Sequence, residues 1–210
     1  MIERLSIGTA DGVVLEAELA APDVPTPTAG FVLCHPHPQY GGSMHTTVVE
    51  ALFDALPGHG ATCLRFNFRG VGGSTGEHTG GEAERLDVVA AVAALADRLD
   101  AGVPLVLAGW SFGGDMALSV APERVTAWYG IAPPLRFARD LGVLSADPRP
   151  KLLALAGRDE ARPPAEVIAE VAGWTNTRVE VVAGASHFFT GGTARLVDLA
   201  VELAAGLVQA

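Results

Sequence analysis

Residues 104–120 read PLVLAGWSFGGDMALSV, and the predicted fold is built around this segment. Residues 105–108 form an uninterrupted apolar run typical of a buried strand, and residues 112–120 have the composition of a helix. Ser111 lies between them in the pattern Gly109-x-Ser111-x-Gly113. This arrangement is typical of a nucleophile elbow, a sharp strand-to-helix turn that lifts the serine hydroxyl clear of the sheet. We therefore expect Ser111 to be a nucleophile at the end of a strand.

A second match to the same pattern surrounds Ser74, at Gly72-x-Ser74-x-Gly76. The residues on both sides of it, 69–73 and 76–81, are rich in glycine and typical of a loop. A serine without a strand before it and a helix after it cannot sit on the strained turn that the elbow requires. The context therefore favours Ser111 over Ser74.

Strand-like and helix-like segments alternate along most of the chain. The first two runs, 2–8 and 13–20, are joined by Asp11-Gly12, a dipeptide typical of a hairpin. Further strands are predicted at 31–34, 61–68, 105–108, 125–131, 152–156 and 179–182, and helices at 44–56, 82–99, 112–120, 165–171 and 193–207. Apolar strands that alternate with helices predict an α/β fold, with a mostly parallel sheet of about eight strands, helices on both faces and antiparallel strands at the N-terminus.

The composition limits the class of protein. A chain of 210 residues that is 49% hydrophobic and 18% charged can bury one large core, which excludes a disordered protein. We find no internal repeat or linker and expect residues 1–210 to form a single domain. The net charge is −10 and no basic cluster interrupts it, so we expect no nucleic-acid partner.

Three further features concern the cellular compartment. The longest apolar runs fall far short of the roughly 20 residues that cross a bilayer, so we expect no membrane segment. The N-terminal residues lack the basic start and apolar run of a secretion signal, which favours a cytoplasmic protein. Cys34 and Cys63 lie in apolar strand-like runs, where buried, reduced thiols are expected.

A serine nucleophile needs a base that accepts its proton and a third group that orients the base. In this kind of sheet, both groups are expected after the serine, at the carboxyl ends of later strands. The chain has six histidines, and His187 is the only one downstream of Ser111. We therefore expect His187, which follows the last predicted strand, to be the base.

The acid is expected at the end of the strand before His187. Asp159 comes just after the apolar run 152–156, which makes it the preferred residue. Glu160 is adjacent to it, and Asp140 and Asp147 lie in the preceding loop, so these three stay as alternatives.

Taken together, these motifs resemble the α/β-hydrolase superfamily over nearly the whole chain. They comprise the opening hairpin and the segments 35–42, 67–74, 109–114, 157–159 and 184–188. The string HPHPQYGGSMH at 35–45 is similar to a compact, lidless bacterial subgroup akin to dienelactone hydrolases and CocE/NonD-like hydrolases. The resemblance implies a serine hydrolase, carboxylesterase-like, that cleaves a small or medium acyl ester through an acyl-enzyme and needs no cofactor or metal. Dienelactone hydrolases use a cysteine nucleophile, so their particular activity is not implied for Ser111.

The resemblance also implies an oxyanion hole built from two backbone N–H groups. Phe112, the residue after the nucleophile, fits the first position. The second belongs to the loop after the third strand, where Pro36 and Pro38 have no N–H to donate. We expect His37 to supply it, with Tyr40 as the alternative.

The substrate is less constrained than the chemistry. Only 48 positions separate Ser111 from Asp159, which leaves little room for a lid and predicts an open pocket for a small-molecule acyl substrate. Tyr40, Trp110 and Phe188 are expected pocket walls, as is Phe189, and all four could equally belong to the core. Residues 135–144 could partly cover the site. Ester, amide and peptide substrates stay open, as do a monomer and a homodimer.

Other functions fit the sequence less well. Gly70-Val71-Gly72 suggests a dinucleotide site, but the third glycine is out of place and no helix follows. A metal site at His35, His37 and His45 lacks regular spacing and acidic or thiol partners. A noncatalytic binding or scaffold protein of the same fold is the alternative from another functional class.

Overall fold

A computed structural model of the protein describes residues 2–208. The strands in this part of the chain are β1 (Ile2–Gly8), β2 (Val14–Ala20), β3 (Ala29–Cys34), β4 (Ala61–Phe66), β5 (Leu105–Trp110), β6 (Ala127–Ile131), β7 (Lys151–Ala156) and β8 (Thr177–Val182). The α-helices are α1 (Thr47–Ala55), α2 (Glu84–Ala96), α3 (Phe112–Leu118), α4 (Leu141–Ala146), α5 (Pro164–Val171) and α6 (Thr193–Val208). None of these helices is long and apolar enough to cross a membrane.

All eight strands belong to one sheet, in the order β1-β2-β4-β3-β5-β6-β7-β8. The β1–β2 and β2–β4 pairs are antiparallel. Every other neighbouring pair, from β4–β3 to β7–β8, is parallel. The predicted sheet, mostly parallel with antiparallel strands at the N-terminus, is confirmed.

Helices cover both faces of the sheet because successive side chains of each strand point to opposite faces. In β5, Leu105 and Leu107 belong to the core layer that contains residues of α2, α3 and α5. Val106 and Ala108, which alternate with them, belong to the layer that contains residues of α1 and α6. The prediction of a sheet covered on both faces is confirmed.

Some element boundaries differ from the predictions. The helix predicted from residue 44 begins at Thr47, because residues 43–46 form a turn in which the Thr46 N–H donates to the Ser43 carbonyl. The helix predicted from residue 82 begins at Glu84, whose carboxylate accepts the N–H groups of Thr79 and Gly81. Residues 141–146 form α4, a short helix that we did not predict.

Two polar groups fix the glycine-rich loop after β4. The Ser74 hydroxyl donates to the Asn67 carbonyl at 2.6 Å and accepts the Glu16 N–H at 2.9 Å. Arg69 forms buried hydrogen bonds with Asp87. Ser74 therefore lies in a loop, as its sequence context predicted, and its hydroxyl ties that loop to β2.

Candidate active site

Ser111 lies on a sharp turn between β5 and α3. β5 ends at Trp110 and α3 begins at Phe112, so a single residue makes the reversal. The Ser111 backbone has φ 55° and ψ −121°, a conformation that residues other than glycine rarely adopt. Its N–H donates to the Ile131 carbonyl at 2.8 Å, which holds the turn against β6. Strained backbone of this kind persists where the surrounding structure enforces it, and it is frequent at functional sites.

The glycines of the motif allow the turn to pack. A Cβ atom on Gly113 would collide with the carbonyl oxygens of Cys34 and His35 at the end of β3. A Cβ atom on Gly109 would collide with the carbonyl of Gly113. The pattern Gly-x-Ser-x-Gly thus reflects two positions where one backbone segment touches another.

His187 and Asp159 extend a row of hydrogen bonds from Ser111. The Nε2 atom of His187 lies 2.9 Å from the Ser111 Oγ, and its Nδ1 atom lies 2.8 Å from the Asp159 Oδ2. A carboxylate accepts the Nδ1 proton, which leaves the Nε2 lone pair free to accept the serine proton. The structure therefore brings together the three side chains that were predicted as nucleophile, base and acid.

Asp159 is held as a charged group although it is largely buried. Its Oδ1 accepts the N–H groups of Ala161 at 2.8 Å and Arg162 at 3.2 Å. Burial by itself would raise the pKa of this carboxyl, but the hydrogen bonds from His187 and these backbone groups outweigh it and lower the pKa below its ordinary value. Asp159 is therefore ionised at neutral pH.

The alternative acids lie elsewhere. Asp140 pairs with Arg85, and Asp147 pairs with Arg149. Glu160 is exposed. Among these carboxylates, the structure brings Asp159 alone into hydrogen-bond distance of the His187 ring.

The loop that carries His187 is fixed from two sides. The Arg158 N–H, at the end of β7, donates to the Ala185 carbonyl at 2.8 Å. The indole Nε1–H of Trp110 donates to the His187 carbonyl at 3.1 Å. The residue before the serine therefore holds the backbone of the histidine.

Near Ser111, the backbone N–H groups of Phe112 and His37 donate to no acceptor among residues 2–208. Phe112 is the first residue of α3, so its N–H has no acceptor within the helix. The N–H of Tyr40 donates to the His37 carbonyl, and that of Gln39 donates to the His37 Nδ1. The N–H of His37 thus remains available for an oxyanion, whereas that of the alternative residue, Tyr40, is occupied.

His35 joins the loop after β3 to the end of β4. Its Nδ1 lies 2.6 Å from the Pro36 carbonyl, and its Nε2 accepts the Phe68 N–H at 3.0 Å. Burial lowers the pKa of His35 to about 4, so the ring is neutral, with the proton on Nδ1. Both ring nitrogens are used in the fold, and no group of three or more possible ligands across residues 2–208 could hold a metal ion.

A cavity of about 670 Å³ opens at Ser111. The predicted walls Tyr40, Trp110 and Phe188 all line it, together with His37 and Phe137. Tyr40 and Phe188 are 86% and 64% exposed, which leaves the cavity mouth rich in aromatic surface. Phe189, in contrast, is fully buried in the core and is not part of the wall. The segment 135–144 contributes through its first residues.

Asp115 is a polar residue near the site that the sequence analysis missed. It lies fully buried in α3, one turn after Ser111, and accepts the Leu135 N–H at 2.7 Å and the Phe137 N–H at 2.9 Å. Burial raises its pKa to about 7, although the backbone N–H groups of residues 135–138 favour the charged form. The only feature of the sequence that could have indicated this role is a single aspartate within an apolar helix. Its carboxyl group ties the cavity wall to the helix that follows the serine.

Comparisons with known proteins agree with this architecture. The model of a family described as having the alpha/beta hydrolase fold matches residues 31–145. An uncharacterized protein of Rickettsia prowazekii, RP471, is 29% identical over 185 residues, which cover 83% of this chain and 77% of that protein.

Two solved structures are similar over almost their full lengths. An alpha-beta serine hydrolase homologue from Coxiella burnetii is 33% identical with a TM-score of 0.85, covering 95% of this chain and 96% of that one. XC6422 from Xanthomonas campestris, described as a serine hydrolase without a lid, is 27% identical with a TM-score of 0.79, covering 97% of this chain and 93% of that one.

Proposed function

The chain belongs to the alpha/beta hydrolase fold family, and we propose that it is a serine hydrolase that cleaves small or medium acyl esters. The observation that carries the proposal is the row of hydrogen bonds from Ser111 through His187 to Asp159, at 2.9 and 2.8 Å. Its first member sits on a strained turn at the floor of an open cavity. Nucleophile, base and orienting acid in such contact are the groups that acyl transfer by a serine requires.

In the proposed reaction, the Ser111 oxygen attacks the substrate carbonyl while His187 Nε2 takes the hydroxyl proton. Asp159 stays ionised, holds the ring in the Nδ1–H form and stabilises the imidazolium. The imidazolium then gives its proton to the leaving alcohol, and an acyl group remains on Ser111. Water, deprotonated by His187, releases the acid and restores the serine.

The negative charge on the carbonyl oxygen is proposed to be bound by the N–H groups of Phe112 and His37. Their lack of an acceptor supports this role, because a free backbone N–H beside the reacting centre can donate to the charged oxygen and stabilise it. Loss of one such donor in comparable sites costs roughly 3 kcal/mol of transition-state stabilisation. A side-chain substitution leaves a backbone N–H in place. The oxyanion hole is therefore tested together with the rest of the reaction, by the hydrolysis assays below.

The size of the substrate follows from the cavity. About 670 Å³ holds a small or medium organic ester, and residues 132–150 between β6 and β7 add only α4 rather than a lid domain. The acidic net charge of −10 favours a small molecule over a nucleic acid as the partner. We propose that residues 1–210 form a single domain.

Labelling with a fluorophosphonate probe tests the proposal directly. We expect the probe to modify wild-type protein at Ser111, and neither Ser111→Ala nor His187→Ala to react at a comparable rate. Ser74→Ala is the matched control, because it removes the other serine of a Gly-x-Ser-x-Gly pattern and should still be labelled. A wild-type protein that resists labelling would instead support the noncatalytic binding role.

Hydrolysis assays separate ester from amide chemistry. Wild-type protein is expected to hydrolyse p-nitrophenyl acetate and butyrate, and to leave the corresponding p-nitroanilides nearly untouched. Because nucleophile and base act as a unit, the double variant Ser111→Ala, His187→Ala should be about as inactive as either single variant. Normal ester hydrolysis by Ser111→Ala would overturn the proposal.

A further inference from the structure

Arg136 is the one permanently charged side chain that lines the Ser111 cavity in the described part of the chain. No aspartate, glutamate or lysine of residues 2–208 lines it. The walls are mostly aromatic and aliphatic, and they include Tyr40, Trp110 and Phe188. The cavity therefore combines an apolar surface with a single fixed positive charge.

The guanidinium of Arg136 has unused hydrogen-bond donors. Its Nη2 donates to the Ala161 carbonyl at 3.0 Å, and no carboxylate of residues 2–208 lies within salt-bridge distance of it. A guanidinium carries five N–H donors in a planar fork that matches the two oxygens of a carboxylate. One of these donors is engaged, so the others are free to bind a ligand.

Most other arginines of the protein are paired. Those within 4.0 Å of a carboxylate are Arg65, Arg69, Arg85, Arg98, Arg149, Arg162, Arg178 and Arg195. In a chain with a net charge of −10, acidic partners are plentiful. An arginine without one, beside the cavity that holds the nucleophile, is therefore notable.

The backbone of Arg136 is also fixed with respect to the nucleophile. The residues on either side, Leu135 and Phe137, both donate their N–H groups to the buried carboxyl of Asp115. Asp115 lies one turn after Ser111 on α3. The loop backbone that carries Arg136 is thus held to the helix that begins directly after Ser111.

From these observations we propose that the preferred substrates are esters that carry a carboxylate on an otherwise apolar body. This inference rests on the proposed function. The aromatic walls would bind the body, and Arg136 would bind the carboxylate, which takes no part in the reaction. Hydrolysis then yields an alcohol and an acid, and the remote carboxylate leaves unchanged on one of the two products.

Two matched pairs of esters test the proposal on the purified full-length protein. In the first pair the charge is on the acyl side, with mono-p-nitrophenyl glutarate compared with p-nitrophenyl hexanoate. In the second it is on the alcohol side, with 4-acetoxybenzoate compared with its methyl ester. We expect kcat/KM for the anionic member to exceed that of the neutral member by up to about fivefold in at least one pair, since Arg136 is exposed and exposed ion pairs contribute up to about 1 kcal/mol.

Substitution of Arg136 should change this ratio of anionic to neutral kcat/KM. Arg136→Gln is expected to remove the preference, and Arg136→Lys to restore part of it. Arg139→Gln is the matched control: it changes the net charge equally and lies on the same loop, but Arg139 does not line the cavity. Its ratio is expected to equal that of the wild-type protein. High salt should reduce the preference of the wild-type protein.

The outcomes distinguish the two proposals. If neutral esters are hydrolysed in a Ser111-dependent way and neither pair shows an anionic preference, the carboxylate inference is overturned and the serine hydrolase stands. If the preference persists in Arg136→Gln, the assignment to Arg136 is overturned. If no ester of any kind is hydrolysed and the fluorophosphonate does not react, the proposed function fails, and the inference fails with it.

Discussion

The indole of Trp110 donates its Nε1–H to the backbone carbonyl of His187 at 3.1 Å. Trp110 is the residue immediately before Ser111, and its side chain is buried. The same ring faces the imidazole, with ring centroids 6.1 Å apart. The residue next to the nucleophile therefore also positions the base, although 76 residues separate His187 from Ser111.

Trp110→Phe is expected to slow ester hydrolysis without removing the nucleophile or the base. The variant keeps an aromatic ring but loses the hydrogen bond to the His187 carbonyl, which contributes roughly 1 kcal/mol. Looser placement of the imidazole should lower kcat about three- to tenfold. Steady-state kinetics with p-nitrophenyl butyrate provide the measurement.

Trp128→Phe is the matched control for this substitution. Trp128 is also buried, and its Nε1–H donates to the Val120 carbonyl at 3.1 Å, away from the cavity. Both variants should lose similar stability, but only Trp110→Phe should lose activity. Equal kcat values for the two variants would rule out a positioning role for the indole.

Much of the sheet was predictable because its inner strands, such as β3, β5 and β7, are short and largely apolar. The three side chains of the hydrogen-bonded row were predictable for a related reason. Ser111, Asp159 and His187 each follow a strand, and parallel strands bring their carboxyl ends to one edge of a sheet. Chain order then left a single histidine as the base.

The cavity wall was less predictable because distant contacts determine its shape. The backbone position of Arg136 depends on hydrogen bonds that its neighbours donate to Asp115. One of these neighbours, Leu135, lies 20 positions after Asp115 in the sequence. Helix α4 contains Gly142 and buries Leu144, so tertiary packing rather than local propensity stabilises it. No local sequence pattern predicts which distant carboxyl group will accept the hydrogen bonds of a loop.

Asp115→Asn should loosen the wall of the cavity. An amide retains one acceptor oxygen and turns an NH₂ group toward the N–H of Leu135 or Phe137, so one backbone donor loses its partner. We expect the free energy of unfolding to fall by about 1–3 kcal/mol. KM should rise more than kcat falls, because the change acts on the wall rather than on the hydrogen-bonded row.

Hydrogen exchange measures the same effect locally. Amides of residues 135–138 should exchange faster in Asp115→Asn than in the wild-type protein. Ser119→Ala serves as the control, since Ser119 accepts the Arg139 N–H at 2.8 Å at the far end of the loop, outside the cavity. Unchanged protection at 135–138 in Asp115→Asn would show that the carboxyl group does not hold this segment.

His35 should make the stability of the protein depend on pH. Burial lowers the pKa of its ring from 6.5 to about 4, so below pH 6.5 the unfolded chain binds a proton that the folded protein does not. Its contribution is therefore full above pH 6.5 and is lost as the pH falls toward 4, by on the order of 3 kcal/mol. His35→Gln removes the titrating group.

Urea unfolding at several pH values gives the measurement. The stability difference between wild-type protein and His35→Gln should narrow as the pH falls from 6.5 to 4, because only the wild-type protein loses the contribution of a neutral ring. His59→Gln, which makes the same substitution at an exposed histidine, is the control. A constant difference for His35→Gln would contradict the burial argument.

Gly113→Ala and Gly142→Ala should have opposite effects on stability. At Gly113 the added methyl group would collide with the backbone carbonyls of Cys34 and His35, which cannot rotate away as a flexible side chain could. We expect the free energy of unfolding to fall by at least about 3 kcal/mol, with the elbow displaced and fluorophosphonate labelling of Ser111 reduced.

Gly142 lies in α4 with open space around its Cα, so alanine there should raise the free energy of unfolding by about 0.5–1 kcal/mol by restricting the unfolded chain. Thermal unfolding measures the stability of both variants. Labelling at a temperature where both are folded then distinguishes a displaced nucleophile from a general loss of stability. Equal stability of the two variants would contradict the close approach of β3 to the elbow.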